Sequence, residues 1–340
     1  MIDYRSAGVD PSRATRALAA SAARIASTCG PSVIENPGGF GGLYGLTGYV
    51  DPVLVATTDG VGTKIKLAVA LDHHDTIGVD LVAMCANDIL AEGARPLFFL
   101  DYVAAARIVP QRIEAILQGI AAGCDLAGCA LLGGETAEQP GVYHDGDYDL
   151  AGFAVGCVER GGLLRNRTIL KGDVLLGIAS SGLHSNGFSL VRKVLEEHDL
   201  ASRPHLLGGS TLGTVLLEPT RVYARSLLRV LHNAALREAV HGLSHVTGGG
   251  IPGNLARILP DGVGAEVQTE TWPEPPIMRL IETSGPVARD EMFRVFNMGI
   301  GMVAVVASDR APAITDELEK AGEKVWPIGT VVEGDGVRIS

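Results

Sequence analysis

The stretch VLVATTDGVGTK, residues 53–64, decides the architecture. Its first half is rich in β-branched residues and follows Pro52, a residue tolerated at the mouth of a strand. The strand then runs straight into Asp59-Gly60-Val61-Gly62-Thr63-Lys64, with no polar linker between. Outward from this point the pattern alternates. A helix is expected over about 76–92, strands at 97–103, 130–132 and 149–158, and a helix at 111–127. Ahead of the strand, Asp10 and Pro11 fit the cap and first turn of an N-terminal helix. Short β-rich runs that alternate with helices point to an α/β (α+β) fold rather than a bundle or a sandwich.

Around 161–172 the pattern pauses in polar and basic residues, Arg165, Asn166, Arg167 and Lys171. A junction there divides the chain into 1–168 and 169–340. The second part opens with a strand at 174–179, a Ser/Gly-rich turn and a helix from about Phe188 to His198. It continues through Thr247-Gly248-Gly249-Gly250 to a closing strand at 302–307.

The chain has 340 residues, with 28 Lys and Arg against 39 Asp and Glu, a net charge of −11. At 46% hydrophobic and 20% charged it has ample material for packed cores and is too long for one small domain. The acidic balance, with no basic block, argues against a nucleic-acid or membrane-surface partner. No apolar run approaches the roughly 20 residues of a membrane span. The five cysteines form no CxxC pair, as expected of thiols in a reducing cytoplasm. Glycine is over-represented at 44 residues, and clusters rather than repeats, so collagen is excluded and ligand-approaching backbone is suggested.

Five clusters carry chemistry. In the first, Gly60 and Gly62 allow a tight turn with free N–H groups, Lys64 can meet phosphate charge and Asp59 can hold a metal ion; a plain strand-ending turn is the alternative. In the second, Asp80, Asn87 and Asp88 fall on or near one face of an otherwise apolar helix. They form either its solvent face or, together with Asp59, a Mg²⁺ site. The third is an apolar run that empties into Gly133-Gly134-Glu135-Thr136, with Glu135 as a candidate metal ligand or general base. The fourth, Ser180-Ser181-Gly182-Leu183-His184-Ser185-Asn186-Gly187, has the composition of a phosphate cradle. The fifth, His245 to Gly250, is either a close backbone approach or a hinge, and Asn297-Met298-Gly299-Ile300-Gly301 is equally open. There is no zinc cluster, no GxGxxG fingerprint and no recognisable catalytic triad context.

Read together in order, DGVGTK (59–64), GVDLVAMCAND (78–88), PLFFLDY (96–102), GGETAEQPGVY (133–143), SSGLHSNGFSLV (180–191), HVTGGG (245–250) and FNMGIGM (296–302) resemble the phosphoribosylformylglycinamidine cyclo-ligase (aminoimidazole ribonucleotide synthetase) family. Arg95, Gln139 and Leu183 depart from the usual family residues without removing a group assigned above.

The resemblance implies ATP-dependent ring closure of formylglycinamidine ribonucleotide to aminoimidazole ribonucleotide, with ADP and phosphate released, in purine synthesis. It implies a two-domain fold whose N-terminal strands join two subunits in a barrel-like homodimer. On the same resemblance, Asp59, Asp80, Asp88 and Glu135 hold Mg²⁺. Lys64, Gly60, Gly62, Thr63, Asn87, Gly133, Gly134 and Thr136 face ATP. Ser181, Gly182, His184, Ser185, Asn186, Gly248, Gly249 and Asn297 meet the phosphate of substrate or nucleotide, and Lys64, Glu135 and His184 are the catalytic candidates. The rivals are another ATP-using enzyme of the superfamily, of the selenophosphate synthetase or thiamine-monophosphate kinase type, and an inactive nucleotide-binding regulator. Selenophosphate synthetase relatives carry a reactive Cys or selenocysteine in a glycine-rich segment, where Gly38-Gly39-Phe40-Gly41-Gly42 has none.

Overall fold

The computed structural model describes residues 2–164 and 169–340. Arg165, Asn166 and Arg167 of the expected junction, and the 168/169 boundary, lie outside the described residues. The chain resolves into two compact units, Met1–Ile89 with Pro96–Arg160, and Leu90–Arg95 with Gly161–Ser340.

The first unit runs α1 (Pro11–Ser27), β1 (Val33–Ile34), β2 (Leu43–Tyr44), β3 (Pro52–Gly60), α2 (Ile65–Leu71), α3 (Asp75–Ala91), β4 (Arg95–Ala105), α4 (Pro110–Ala127), β5 (Ala130–Glu138) and β6 (Tyr148–Glu159). As expected, Asp10 caps α1, accepting from the Ser12 N–H at 3.1 Å. Glu138 ties that helix to the end of β5, accepting from the Asp10 N–H at 2.6 Å, the Ile108 N–H at 2.9 Å and Arg13 Nη1 at 2.6 Å. The four longer strands form one sheet in the order β3-β6-β4-β5, with β3 antiparallel to β6 and β4 parallel to β5. Side chains on β3 alternate: Leu54, Ala56 and Thr58 are exposed, whereas Val53, Val55, Thr57 and Asp59 are half-buried.

Helix α3 is buried nearly all round, with Ile77, Leu81, Val82, Cys85 and Ile89 inaccessible to solvent. It meets α4 backbone to backbone. A methyl group added at Gly78 would sit 2.3 Å from the Ile120 nitrogen, and one at Gly119 would sit 1.8 Å from the Asp75 oxygen. Both positions therefore require glycine, since a Cβ would force the two helices apart.

One expectation is corrected here. Strand β5 does not end at Leu132 but continues through Gly133 and Gly134 to Glu138, because β4 supplies backbone partners along that whole length, with Asp101 opposite Gly134. Four of the five cysteines are buried and Cys29 is exposed.

The second unit contains β7 (Val174–Ala179), α5 (Phe188–Val194), α6 (Leu212–Leu216), α7 (Ala224–His232), α8 (Ala234–Arg237), β8 (Val240–His245), α9 (Gly250–Leu255), β9 (Val263–Val267), α10 (Pro276–Ser284), α11 (Arg289–Val295), β10 (Ile300–Val306), α12 (Ala311–Lys320), β11 (Val325–Glu333) and β12 (Gly336–Ile339). Its sheet has the order β12-β9-β11-β7-β10-β8. Strand β10 is flanked on both sides and every residue of it is buried, which explains its unbroken apolar sequence. It does not close the chain, because β11 and β12 extend the sheet beyond it.

Candidate functional site

In the first unit the sequence candidates lie at the end of β3, midway along β5 and along α3. Asp59 is half-buried and opposes Gly152 on β6, and its Oδ1 accepts from the Gly60 N–H at 2.7 Å. Gly60 leaves little room, since a Cβ there would lie 3.1 Å from the Leu150 oxygen. Gly62 has a φ of +69°, the left-handed conformation that lets the chain turn into the short 3₁₀ segment carrying Thr63 and Lys64.

Lys64 and Asp80 are both fully buried and face each other, with Nζ 3.0 Å from Oδ1 and 2.8 Å from Oδ2. In this arrangement neither charge is exposed to solvent, and each is the partner that makes the other's burial tolerable. Asn87 is also fully buried and Asp88 half-buried, so α3 does not present these residues as a plain solvent face.

Asp59 at the end of β3 and Asp88 on α3 are both half-buried. Burial, and then the carboxylates of Asp59 and Asp88, push the Cys85 thiol far above its ordinary range. Glu135 stands apart from this pair, exposed on β5 opposite Tyr102 of β4. Among the described residues no group of three or more His, Cys, Asp or Glu side chains is placed to hold a metal ion. A pair of half-buried carboxylates suits a Mg²⁺ ion that arrives on phosphate oxygens and keeps its waters, rather than a cage built from protein alone.

The glycine pair has a structural reason that the sequence reading missed. A Cβ at Gly134 would lie 2.2 Å from Asp101 Oδ1 and 2.8 Å from the Asp101 oxygen, so Gly134 makes room for that carboxyl. Asp101 is only 5% exposed, its Oδ2 has no hydrogen-bond partner, and burial lifts its carboxyl to about 7. The signal was present: an acid inside the apolar run PLFFL-D-Y of β4. Asp101, Gly133, Gly134 and Glu135 belong to the lining of a cavity of about 670 Å³ in this unit.

In the second unit the structure knits three loops together. The loop after β7 supplies Ser180 to Gly187, the segment after β8 supplies Thr247 to Gly249, and Asn297 precedes β10. Asn297 donates from Nδ2 to the Gly182 oxygen at 2.8 Å, while its Oδ1 accepts from the Gly299 N–H at 2.8 Å and from Ser180 Oγ at 3.2 Å. Asn186 Oδ1 accepts from the Gly248 N–H at 3.0 Å, and Ser185 Oγ lies 2.9 Å from Thr220 Oγ1.

His184 is 1% exposed at a φ of +61°, an unusual conformation for a residue with a Cβ. Its Nε2 accepts from the Ser181 N–H at 3.2 Å. Gly301 is needed at this point, since a Cβ would meet the Tyr223 hydroxyl at 2.1 Å and His184 Cε1 at 2.4 Å. Hydrogen bonds thus tie the loop after β7 to the segment before β10, through Asn297 with Ser180 and Gly182, and to the segment after β8, through Asn186 with Gly248, so that several of the expected phosphate donors hold the loops in place.

Comparison with known proteins shows what the chain is similar to. Residues 48–158 match AIR synthase related protein, N-terminal domain, and residues 171–340 match AIR synthase related protein, C-terminal domain. A phosphoribosylformylglycinamidine cyclo-ligase of Anaeromyxobacter dehalogenans is 51% identical over 98% of this chain and 96% of its own. One of Sorangium cellulosum is 52% identical over 97% of this chain and 95% of its own. Among solved structures, thiamine-monophosphate kinase from Stenotrophomonas maltophilia superposes with a TM-score of 0.72 at 24% identity, covering 94% of this chain and 96% of that one. That last likeness is one of fold.

Proposed function

This chain belongs to the phosphoribosylformylglycinamidine cyclo-ligase family, and from that premise we propose that it catalyses the ATP-dependent closure of formylglycinamidine ribonucleotide to aminoimidazole ribonucleotide, releasing ADP and phosphate, in purine biosynthesis. The observation that carries this reading is identity of about half of all residues over nearly the full length of relatives bearing that enzyme's name. The kinase-type alternative rests on shared fold alone.

Bound Mg-ATP supplies the phosphoryl group that turns the formamide oxygen into a leaving group. The protein's part is to position the reactants and neutralise charge. Asp59 and Asp88 are the pair we assign to Mg²⁺, supported by their chemistry as half-buried carboxylates at the end of β3 and on α3. The Lys64–Asp80 pair, buried directly behind the Gly60–Gly62 turn, fixes that turn against α3. Gly60, Gly62, Thr63, Lys64, Asn87, Gly133, Gly134 and Thr136 are the set we assign to ATP, with Lys64, Glu135 and His184 as the catalytic candidates. The cluster of Ser181, Gly182, His184, Ser185, Asn186, Gly248, Gly249 and Asn297 is assigned to a ligand phosphate, with His184 held by backbone on its Nε2 side.

We place ATP binding and dimerisation in residues 1–168, with the exposed face of β3 as the dimer surface, and the phosphate cluster in 169–340. The protein acts in the cytoplasm on this reading. Incubation with Mg-ATP and formylglycinamidine ribonucleotide should release ADP and aminoimidazole ribonucleotide in equal amounts. Absence of substrate-dependent ADP overturns the proposal.

A further inference from the structure

The segment Gly38-Gly39-Phe40-Gly41-Gly42 lies over the 670 Å³ cavity of the first unit and contributes to its lining. It is not a loose loop. Asn36 Nδ2 donates to the Gly41 oxygen at 3.0 Å, and the Gly39 N–H donates to the Asn36 oxygen at 3.0 Å. At its far end Gly42 lies so close to Leu132 that a Cβ would meet Cγ at 2.5 Å and the backbone oxygen at 2.9 Å. Between these anchors Phe40 is held with its whole side chain in solvent, at 111% relative exposure.

A phenyl ring left in water forgoes the free energy of its burial, and four flanking glycines give it no neighbouring side chain to lean on. Across the cavity lie Leu100, Leu132 and Phe153. The polar side chains are the amide of Asn36, the carboxyls of Glu35, Asp101 and Glu135, and the Tyr102 hydroxyl, which accepts from Gln139 Nε2 at 2.9 Å.

No Lys, Arg or His is among the described residues that line this cavity. Such a lining repels a bare triphosphate and suits a flat, apolar-faced group that carries hydrogen-bond donors. We propose that Phe40 is a binding residue for the adenine of ATP, its ring stacking on the base, so that the cavity takes the base end of the nucleotide and the phosphates lie outside it. This deepens the functional reading above and rests on it for the identity of the ligand. An amidine, the other flat amine-bearing group of the reaction, offers too little face to fill a cavity of this size.

Phe40→Ala should raise KM for ATP about tenfold, the scale of one aromatic–base stack, and raise it more than it lowers kcat, with KM for formylglycinamidine ribonucleotide much less affected. ADP and adenosine should lose affinity by a similar factor while tripolyphosphate does not, Phe40→Trp should restore nucleotide affinity, and the melting temperature should stay at the wild-type value. Unchanged affinity for ADP and adenosine in Phe40→Ala overturns the inference, as does an effect confined to the other substrate. The ADP measurement needs no turnover, so it reads this inference even if the ring-closing activity itself is absent.

Discussion

Asp101 is a carboxyl held where ionisation is unfavourable, and its consequence for stability can be signed. Burial lifts it from 3.8 to about 7 in the folded chain, so between those values the folded state binds more protons than the unfolded one. Stability supplied by its protonated form is present in full at low pH and lost as pH rises through about 7. Asp101→Asn keeps the shape and removes the titration. Its melting temperature relative to wild type should climb by a few degrees between about pH 5 and pH 8; a flat difference across that range refutes the assignment. The residues that a sequence motif marks as charged can instead serve one another. Lys64 and Asp80 each read as a ligand in isolation, sixteen positions apart, and only the packing of the turn against α3 shows them as one buried pair.

Between α3 and α4 the decisive side chains are the missing ones. An alanine normally stabilises a helix interior over glycine by about 1 kcal/mol. At Gly119 the added methyl would lie 1.8 Å from the backbone oxygen of Asp75, and overpacking of that kind costs about 1–3 kcal/mol or more. The clash outweighs the propensity, so Gly119→Ala should lower the midpoint of urea unfolding, and an unchanged or raised midpoint would show that the helices can separate freely. Strand β5 makes a related point. Its glycines read as the start of a loop, yet Gly133 and Gly134 stay in the ladder because β4 pairs with them and Asp101 occupies the space a side chain at 134 would need. Local propensity was overruled by a partner strand and by one buried acid.

For the molecule as a whole, the exposed row Leu54, Ala56 and Thr58 on β3 is the face that the proposed dimer would bury. Leu54 is 60% exposed, and Leu54→Lys places a charge there without disturbing either unit's core. Sedimentation should shift from dimer toward monomer for this variant, and an unchanged dimer would move the interface elsewhere. The sequence by itself determined the alternation of strands and helices, the Asp10 cap, the strand at 174–179 and the family, because these follow from periodicity, local turn chemistry and ordered motifs. It also named the polar residues assigned above to the two candidate sites, Asp101 excepted. What only the tertiary structure decided is which of those groups face each other: the Lys64–Asp80 pair, the burial of Asp101, and the bonds of Ser180 with Asn297 and of Asn186 with Gly248. Charge and hydrogen-bond capacity are properties of a residue, but desolvation and partnership depend on packing between segments far apart in the chain.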